Sequence, residues 1–345
     1  MSLLQVEDLH TYFDTRKGTV KAVNGVSFSL TEGKTLALVG ESGSGKSVSA
    51  MSILRLLDGN GYIERGSVRF EDEGTTIDLT QVAMKKMYEI RGNKISVIFQ
   101  EPMTALNPVF SVKKQLCEPL KMHRKLSGKQ AREEAKKMLS SVHIPNPSRV
   151  LKQYAHQLSG GMRQRIMIAM ALSCKPKILI ADEPTTALDV TIQAQILQLM
   201  KDLQTENGMA ILFITHDLGV VAEMADDVAV MYCGQVIERV PAPVLFKGNE
   251  YMHPYTEGLL RSAPNAASAG KPLESIPGNV PHPLELPCGC KFAPRCKYRT
   301  EKCLREEPDL ESVPTKEGAF DHAVRCFYPK KEERQSAKHR NDVVD

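Results

Sequence analysis

A glycine-rich run near residue 40 carries the residue types best suited to holding phosphate. Residues 40–47 read GESGSGKS, match the pattern G-x-x-x-x-G-K-[ST], and directly follow the apolar run 36–39. Small residues let successive backbone N–H groups converge on an anion at the start of a helix. The pattern predicts that Lys46 reaches the β- and γ-phosphates of a nucleotide and that the Ser47 hydroxyl binds Mg²⁺.

A pair of acids after an apolar run forms the second candidate site. Residues 178–181 read ILIA, and Asp182 and Glu183 follow them. Taken alone, such a run is more often a plain strand that enters a turn. Because open α/β sheets bind ligands at the carboxyl ends of their strands, the phosphate loop reverses those odds. Asp182 is predicted to hold Mg²⁺, and Glu183 to polarise the water that attacks the γ-phosphate.

The elements that must position these motifs alternate between strand and helix patterns. Strand-like runs occur at 35–39, 94–99, 177–181, 210–214 and 228–232, and helical runs at 47–57 and 192–204. This alternation predicts an α/β domain with a largely parallel sheet. The Lys- and Glu-rich stretch 111–142 interrupts it and is expected to form an inserted helical subdomain.

Length, charge and composition narrow the class of protein. The chain has 345 residues, which at about 150 residues per domain is a soft prior for two domains. Its net charge of +4 does not indicate a nucleic-acid binder. The amino terminus lacks a signal-peptide pattern, and no run approaches the length of a membrane helix. We therefore expect a cytosolic chain, where structural disulfides are rare.

A string at 158–165, LSGGMRQR, resembles the signature sequence of the ATPase subunits of ABC transporters. The other motifs of that family follow in the expected order. Gln100 resembles the Q-loop glutamine, residues 187–189 (ALD) the D-loop, and His216 the switch histidine. Phe13, or its neighbour Tyr12, is placed like the aromatic residue that stacks on adenine, although Phe13 could equally be a core residue.

The resemblance implies a fold and an organisation. The fold is α/β, a P-loop NTPase (ABC ATPase) domain with a RecA-like core, an N-terminal antiparallel β subdomain and an inserted helical subdomain. We expect this domain to span 1–260, with the helical subdomain at about 101–165. A proline-rich, cysteine-containing regulatory tail would follow at 261–330, and a disordered polar end at 331–345.

The resemblance also implies a set of site residues. The catalytic residues would be Glu183, His216 and Gln100. Mg²⁺ would be held by Ser47, Gln100 and Asp182. ATP would be bound by Phe13, Gly40, Ser42, Gly43, Ser44, Gly45, Lys46, Ser47, Val48, Asp182 and Asp189. The signature residues that would contact ATP held by a partner subunit are Ser159, Gly160, Gly161 and Gln164.

Three further strings, at 98–108, 253–260 and 275–278, look like the ATP-binding subunits of dipeptide and oligopeptide permeases. Val48 favours the D-type subunit over its F-type companion. This implies a heterodimer with an F-type ATPase, two transmembrane permease subunits, an extracytoplasmic peptide-binding receptor and a peripheral position on the cytoplasmic face of the membrane. Gln100 and the segment after it would face the permease. Nickel or another small solute is the alternative cargo.

Rival functions fit the chain less well. Non-transport ABC proteins need a long coiled coil or two nucleotide domains, whereas this chain has one phosphate loop and one LSGG string. Exporter ATPases usually carry fused membrane helices. GTP switches are excluded by LSGGMRQ and by the lack of a base-reading Asn-Lys-x-Asp motif.

Five of the eight cysteines cluster between residues 288 and 326. The spacing C-x₅-C-x₆-C-x₂₂-C, formed by Cys290, Cys296, Cys303 and Cys326, resembles the permease tails whose four cysteines hold a [4Fe–4S] cluster. Four thiolates suit zinc as well, so zinc and free or transiently oxidised thiols stay open. Cys288 departs from the family pattern and is an alternative first ligand. The three scattered cysteines are expected to be buried.

Overall fold

The computed structural model describes residues 2–100, 105–186, 188–247, 250–263, 275–314, 322–330 and 332. The chain divides into two compact units. We call Met1–Leu3, Leu30–Thr35 and Gln81–Ile214 the helical unit, and Leu4–Ser29, Leu36–Thr80 and Thr215–Asp345 the phosphate-loop unit. Within the described ranges, no helix combines the length and the apolar character needed to cross a membrane.

The elements follow one another in this order. The strands are β1 (Ser2–Thr15), β2 (Gly18–Thr31), β3 (Thr35–Val39), β4 (Gly61–Asp72), β5 (Thr75–Asp78), β6 (Ile95–Ile98), β7 (Ile178–Asp182), β8 (Ala210–Thr215), β9 (Asp227–Tyr232), β10 (Gln235–Pro241), β11 (Glu311–Ser312) and β12 (Ala323–Val324). The helices are α1 (Lys46–Ile53), α2 (Met84–Ile90), α3 (Val112–His123), α4 (Gly128–Ser141), α5 (Pro147–Val150), α6 (Gly160–Leu172), α7 (Val190–Asn207), α8 (Leu218–Met224), α9 (Ala242–Lys247), α10 (Pro254–Ser262) and α11 (Glu301–Arg305).

Two sheets build the phosphate-loop unit. The first has the strand order β2-β1-β4-β5, with β4 antiparallel to β1 and β5, as expected for the N-terminal subdomain. In the second, β3 pairs in parallel with β9, and β10, β12 and β11 continue outward from β9 with antiparallel pairing. All five residues of β3 are buried. A strand covered on both faces reads as a continuous apolar run, and that pattern made β3 predictable.

Three parallel strands, in the order β6-β7-β8, form the sheet of the helical unit. The stretch 111–142 is helical, as predicted, but consists of two helices, α3 and α4. A capping box starts α4: the Ser127 hydroxyl accepts from the Gln130 N–H, and the Gln130 side chain accepts from the Ser127 N–H. Ala131, Ala135 and Leu139, spaced four apart, form its buried face.

The carboxyl-terminal part of the chain is tied to the rest of the phosphate-loop unit by a strand and a buried histidine–carboxylate contact. β12 pairs with β10 through Val324 opposite Glu238. Glu238 is fully buried, and its carboxylate lies 3.0 Å from the His322 Nε2 and accepts from the His253 N–H at 2.8 Å. A buried carboxylate needs such partners, so the segment around His322 is held firmly. The sequence pattern did not predict this strand.

Candidate functional site

The phosphate loop connects β3 to α1 along a path that admits only glycine at two positions. Gly40 and Gly45 have φ values of 151° and 98°. A Cβ at Gly40 would lie 2.2 Å from the Met231 carbonyl oxygen, and one at Gly45 would lie 2.4 Å from the Ala22 carbonyl oxygen. Any side chain at either position would displace the backbone. The loop therefore has the tight, glycine-dependent form that its sequence pattern predicts.

Lys46, the first residue of α1, is held by the loop that precedes it. Its Nζ donates to the carbonyl oxygens of Gly40 at 2.7 Å and Glu41 at 3.0 Å, and to the Ser44 hydroxyl at 3.5 Å. The side chain is buried, and these oxygens replace the water that an ammonium group loses on burial. No side chain caps α1, which begins after Gly45. The site thus combines a cation with a helix start, which suits an anion.

The acids of the second motif lie at the end of β7 in the helical unit. Asp182 is the last residue of β7 and is buried. Glu183 has a φ of 46°, and its N–H donates to the Ile214 carbonyl of β8 at 2.9 Å. The Glu183 Oε2 accepts from the Gln100 Nε2 and from the Thr186 hydroxyl, each at 2.9 Å. The structure therefore brings together Gln100 and Glu183, two of the three predicted catalytic residues.

The signature string forms the start of α6. The Ser159 hydroxyl caps this helix by accepting from the Met162 N–H at 3.3 Å, and a Cβ at Gly160 would meet open space. Gln164 is buried, and its side-chain amide donates to the Pro184 carbonyl, next to Glu183. The signature helix is thus bonded directly to the loop that carries the acids.

Three other predicted residues have the following places. Asp189 is exposed and caps α7 by accepting from the Ile192 N–H at 2.9 Å, while Ala187 lies outside the described residues. His216 directly follows β8 and is exposed. The ring of Phe13 lies over Gly61, where a Cβ would come within 2.5 Å of it. Residues 101–104 of the predicted coupling segment and the polar end, apart from residue 332, also lie outside the described residues.

Four of the five tail cysteines lie around the same small cavity. Cys290, Cys296, Cys303 and Cys326 line a cavity of about 20 Å³, and the Cys290 N–H donates to the Cys303 carbonyl at 2.9 Å. Burial raises the pKa of the Cys290 thiol. Cys288 is exposed. In the described part of the chain, no three His, Cys, Asp or Glu side chains are arranged to hold a metal ion. The three scattered cysteines are buried, as expected; they are Cys117, Cys174 and Cys233.

Residues that sequence reasoning passed over also contact the phosphate loop. The Glu41 carboxylate binds the Arg295 guanidinium, and the Glu41 N–H donates to the Tyr255 hydroxyl. Glu41 is the one charged residue at 40–47 besides Lys46. An acid in a loop that binds an anion needs a cationic partner, and this could have marked Glu41 from the sequence. Arg295 and Tyr255 lie more than 200 positions further along the chain, and no spacing pattern links them to residue 41.

The chain is similar to several known proteins. The family model of the ABC transporter matches residues 23–186, and that of the oligopeptide/dipeptide transporter C-terminal region matches residues 237–303. The oligopeptide transport ATP-binding protein AppD of Bacillus subtilis is 51% identical over 94% of this chain and 96% of its own. Among solved structures, the dimeric bacterial ABC transporter cassette MJ0796 matches with a TM-score of 0.61 and 28% identity over 69% of this chain and 98% of its own. CbiO1 of Clostridium perfringens, part of the ABC transporter complex cbiONQ, matches with a TM-score of 0.59 and 29% identity over 71% and 91%.

Proposed function

Because this chain belongs to the ABC transporter ATPases and carries the oligopeptide/dipeptide transporter C-terminal region, we propose that it couples ATP hydrolysis to peptide uptake. It is an ABC-type ATPase that works with membrane permease subunits. The observation that carries the nucleotide assignment is the geometry of the phosphate loop. The Lys46 ammonium donates to the carbonyl oxygens of Gly40 and Glu41, and Gly40 and Gly45 have no room for a Cβ. The peptide assignment rests on the C-terminal region and on the resemblance to AppD.

In this proposal the chain's own residues divide the work. The N–H groups from Ser42 to Lys46 and the Lys46 ammonium bind the phosphates. Hydroxyl, amide and carboxylate oxygens suit a hard cation, so Ser47, Gln100 and Asp182 would hold Mg²⁺, which supplies charge neutralisation at the β- and γ-phosphates when bound. Glu183 accepts the proton of the attacking water, and Gln100 keeps its carboxylate in place through the 2.9 Å bond.

The remaining predicted roles concern partners. Ser159, Gly160, Gly161 and Gln164 contact ATP held by a second, F-type ATPase subunit. Asp189 and His216 act on the ATP that this chain itself binds, His216 as a catalytic residue beside Glu183. An exposed helix start at Ser159 and open space at Gly160 support this assignment. The chain would attach to the cytoplasmic face of the membrane through the permease. The permease would receive peptide from an extracytoplasmic receptor. We propose that the boundary between the ATPase domain and the tail lies near residue 260.

Two substitutions in the full-length chain test the ATPase assignment. Glu183→Gln should lower phosphate release by about 10²- to 10⁴-fold while ATP binding persists, because the base is lost and the binding loop is intact. Lys46→Ala should weaken binding of a fluorescent ATP analogue itself. Hydrolysis by Glu183→Gln at the wild-type rate would contradict the role of Glu183.

Uptake assays in cells that lack this chain test the cargo. Loss of labelled di- and oligopeptide uptake, with nickel uptake unchanged, is the expected result. The reverse pattern would support the nickel alternative.

For the tail we propose a thiolate-bound metal group, with a [4Fe–4S] cluster ahead of zinc. The observation in its favour is that Cys290, Cys296, Cys303 and Cys326 line one cavity, which gives a donor set of four thiols. The thiols would have to draw together around the metal. Chain purified without oxygen should be brown, and Cys296→Ser should remove the colour, with Cys288→Ser as the matched control. A colourless protein with one zinc per chain would contradict the cluster.

A further inference from the structure

A buried arginine of the tail is paired with the second residue of the phosphate loop. The Arg295 Nη1 and Nη2 donate to the two carboxylate oxygens of Glu41 at 2.6 Å and 3.1 Å. Arg295 is only 7% exposed. A guanidinium is rarely so buried unless it is paired, and a two-bond pair with a carboxylate fixes both distance and orientation. The Glu41 side chain is therefore held in one place by the tail.

Arg295 is itself anchored on several sides. Its Nε donates to the Pro277 carbonyl at 3.0 Å, and its guanidinium lies 5.9 Å from the ring centres of both Tyr232 and Phe292. Burial alone would lower the pKa of Arg295, but the Glu41 carboxylate and the Tyr232 hydroxyl outweigh it and raise this pKa. The group stays charged and has little freedom to move.

Glu41 is also held through its backbone. Its N–H donates to the Tyr255 hydroxyl at 2.8 Å, and its carbonyl accepts from the Lys46 Nζ at 3.0 Å. Tyr255 is fully buried and packs against Tyr232, with ring centres 4.7 Å apart. The side chain, the N–H and the carbonyl of Glu41 thus each make a hydrogen bond. The partner of the carbonyl is Lys46, the lysine assigned to the phosphates.

We propose that Arg295 is a positioning residue for ATP binding that acts through Glu41; this rests on the proposed ATPase function. Without Arg295, the loop would carry an uncompensated carboxylate beside the site for a highly charged anion, and like charges repel strongly in a partly buried site. With Arg295 in place, that charge is neutralised and the carboxylate is fixed. Docking of the tail is therefore required for tight binding of nucleotide.

The test uses the full-length chain and a fluorescent ATP analogue. Arg295→Gln should weaken binding by about tenfold, with maximal hydrolysis at saturating ATP changed less than threefold, because the catalytic loop is untouched. Adding Glu41→Gln to that variant should restore most of the affinity, since it removes the uncompensated charge. A merely structural role would not produce this rescue. Arg261, at the start of the tail, forms a 2.6 Å pair with Glu257; Arg261→Gln breaks that pair, is the control and should bind as wild type.

Each outcome decides the matter. Unchanged affinity in Arg295→Gln, or no rescue by Glu41→Gln, overturns the inference about Arg295. The proposed function still stands in that case if the wild-type chain binds ATP. Failure of the wild-type chain to bind ATP would instead overturn the proposed function. If Arg295→Gln does not fold by circular dichroism, Glu41→Asp replaces it: shortening the side chain should lower affinity by about threefold, and no change would overturn the inference.

Discussion

The phosphate loop and the loop that carries Glu183 hold their charged side chains in different ways. In the phosphate loop, Lys46 is buried on carbonyl oxygens, and Glu41 is bound by the guanidinium of Arg295. In the acid loop, Glu183 accepts from an amide and a hydroxyl, those of Gln100 and Thr186. In the guanidinium–carboxylate pair both groups are charged and two parallel bonds fix their orientation, whereas the amide and the hydroxyl that donate to Glu183 are neutral. The first loop is therefore built to stay as it is, and the second to rearrange.

This difference fits the two tasks that we propose. A binding loop gains from being formed before the ligand arrives, since the cost of ordering it is not subtracted from affinity. A residue that takes up a proton must change its hydrogen bonds during each turnover, and neutral partners allow that at small cost. The backbone at Glu183, with a φ of 46°, adds local strain of the kind often found at functional sites.

Breaking the rigid loop should have the largest effect. Gly45→Ala forces a Cβ to within 2.4 Å of the Ala22 carbonyl, so the loop must move. We expect affinity for ATP to fall by about 100-fold, since losing one or two hydrogen bonds to the charged phosphates, at about 1.5–3 kcal/mol each, costs about that much. Gly33→Ala is the matched control, because Gly33 lies outside the phosphate loop and its Cβ would meet nothing within 4 Å despite a φ of 71°. Equal losses in both variants, measured by fluorescent-nucleotide titration, would contradict the special place of Gly45.

Loosening the acid loop should change rate and spare binding. Gln100→Ala removes the amide that holds the Glu183 carboxylate, and we expect kcat for ATP hydrolysis to fall about tenfold. Affinity for ATP measured without Mg²⁺ should be unchanged, because Gln100 is assigned to the metal and to Glu183 and not to the phosphates. Gln198→Ala, which removes an exposed amide bonded to Asp202 on α7, is the control and should not alter kcat. A loss of ATP affinity that matches the loss of rate would show that the two loops are not separable in this way.

The smallest effect concerns two of the serine-capped helices of the helical unit, α4 and α6. Ser159→Ala and Ser127→Ala each remove a hydroxyl that caps a helix, and each should lower the free energy of unfolding by about 1 kcal/mol in urea titrations. Only Ser159→Ala should also lower ATP turnover, because Ser159 belongs to the signature. If both variants lose stability and neither loses turnover, Ser159 is a helix cap and nothing more.

Local signals explain what could be predicted from the sequence. The apolar runs ending at Val39 and Ala181 identified buried strands, since a strand covered on both faces needs no polar position. Gly45 and Lys46 were recognisable because a phosphate loop requires a fixed order of residue types over a few positions. The helices at 112–141 followed from apolar spacing, although the break before Ser127 did not.

The sequence by itself therefore determined the family and the buried strands of the parallel sheets, and it predicts the residues that would touch phosphate or water within one motif. Only the tertiary structure decided that Arg295 neutralises Glu41, that Gln164 is bonded to the acid loop, and that a two-residue strand at 323–324 secures the tail. The physical reason is range. Spacing patterns report the period of one element and the chemistry of one loop, whereas a hydrogen bond between residues 254 positions apart depends on how the whole chain packs.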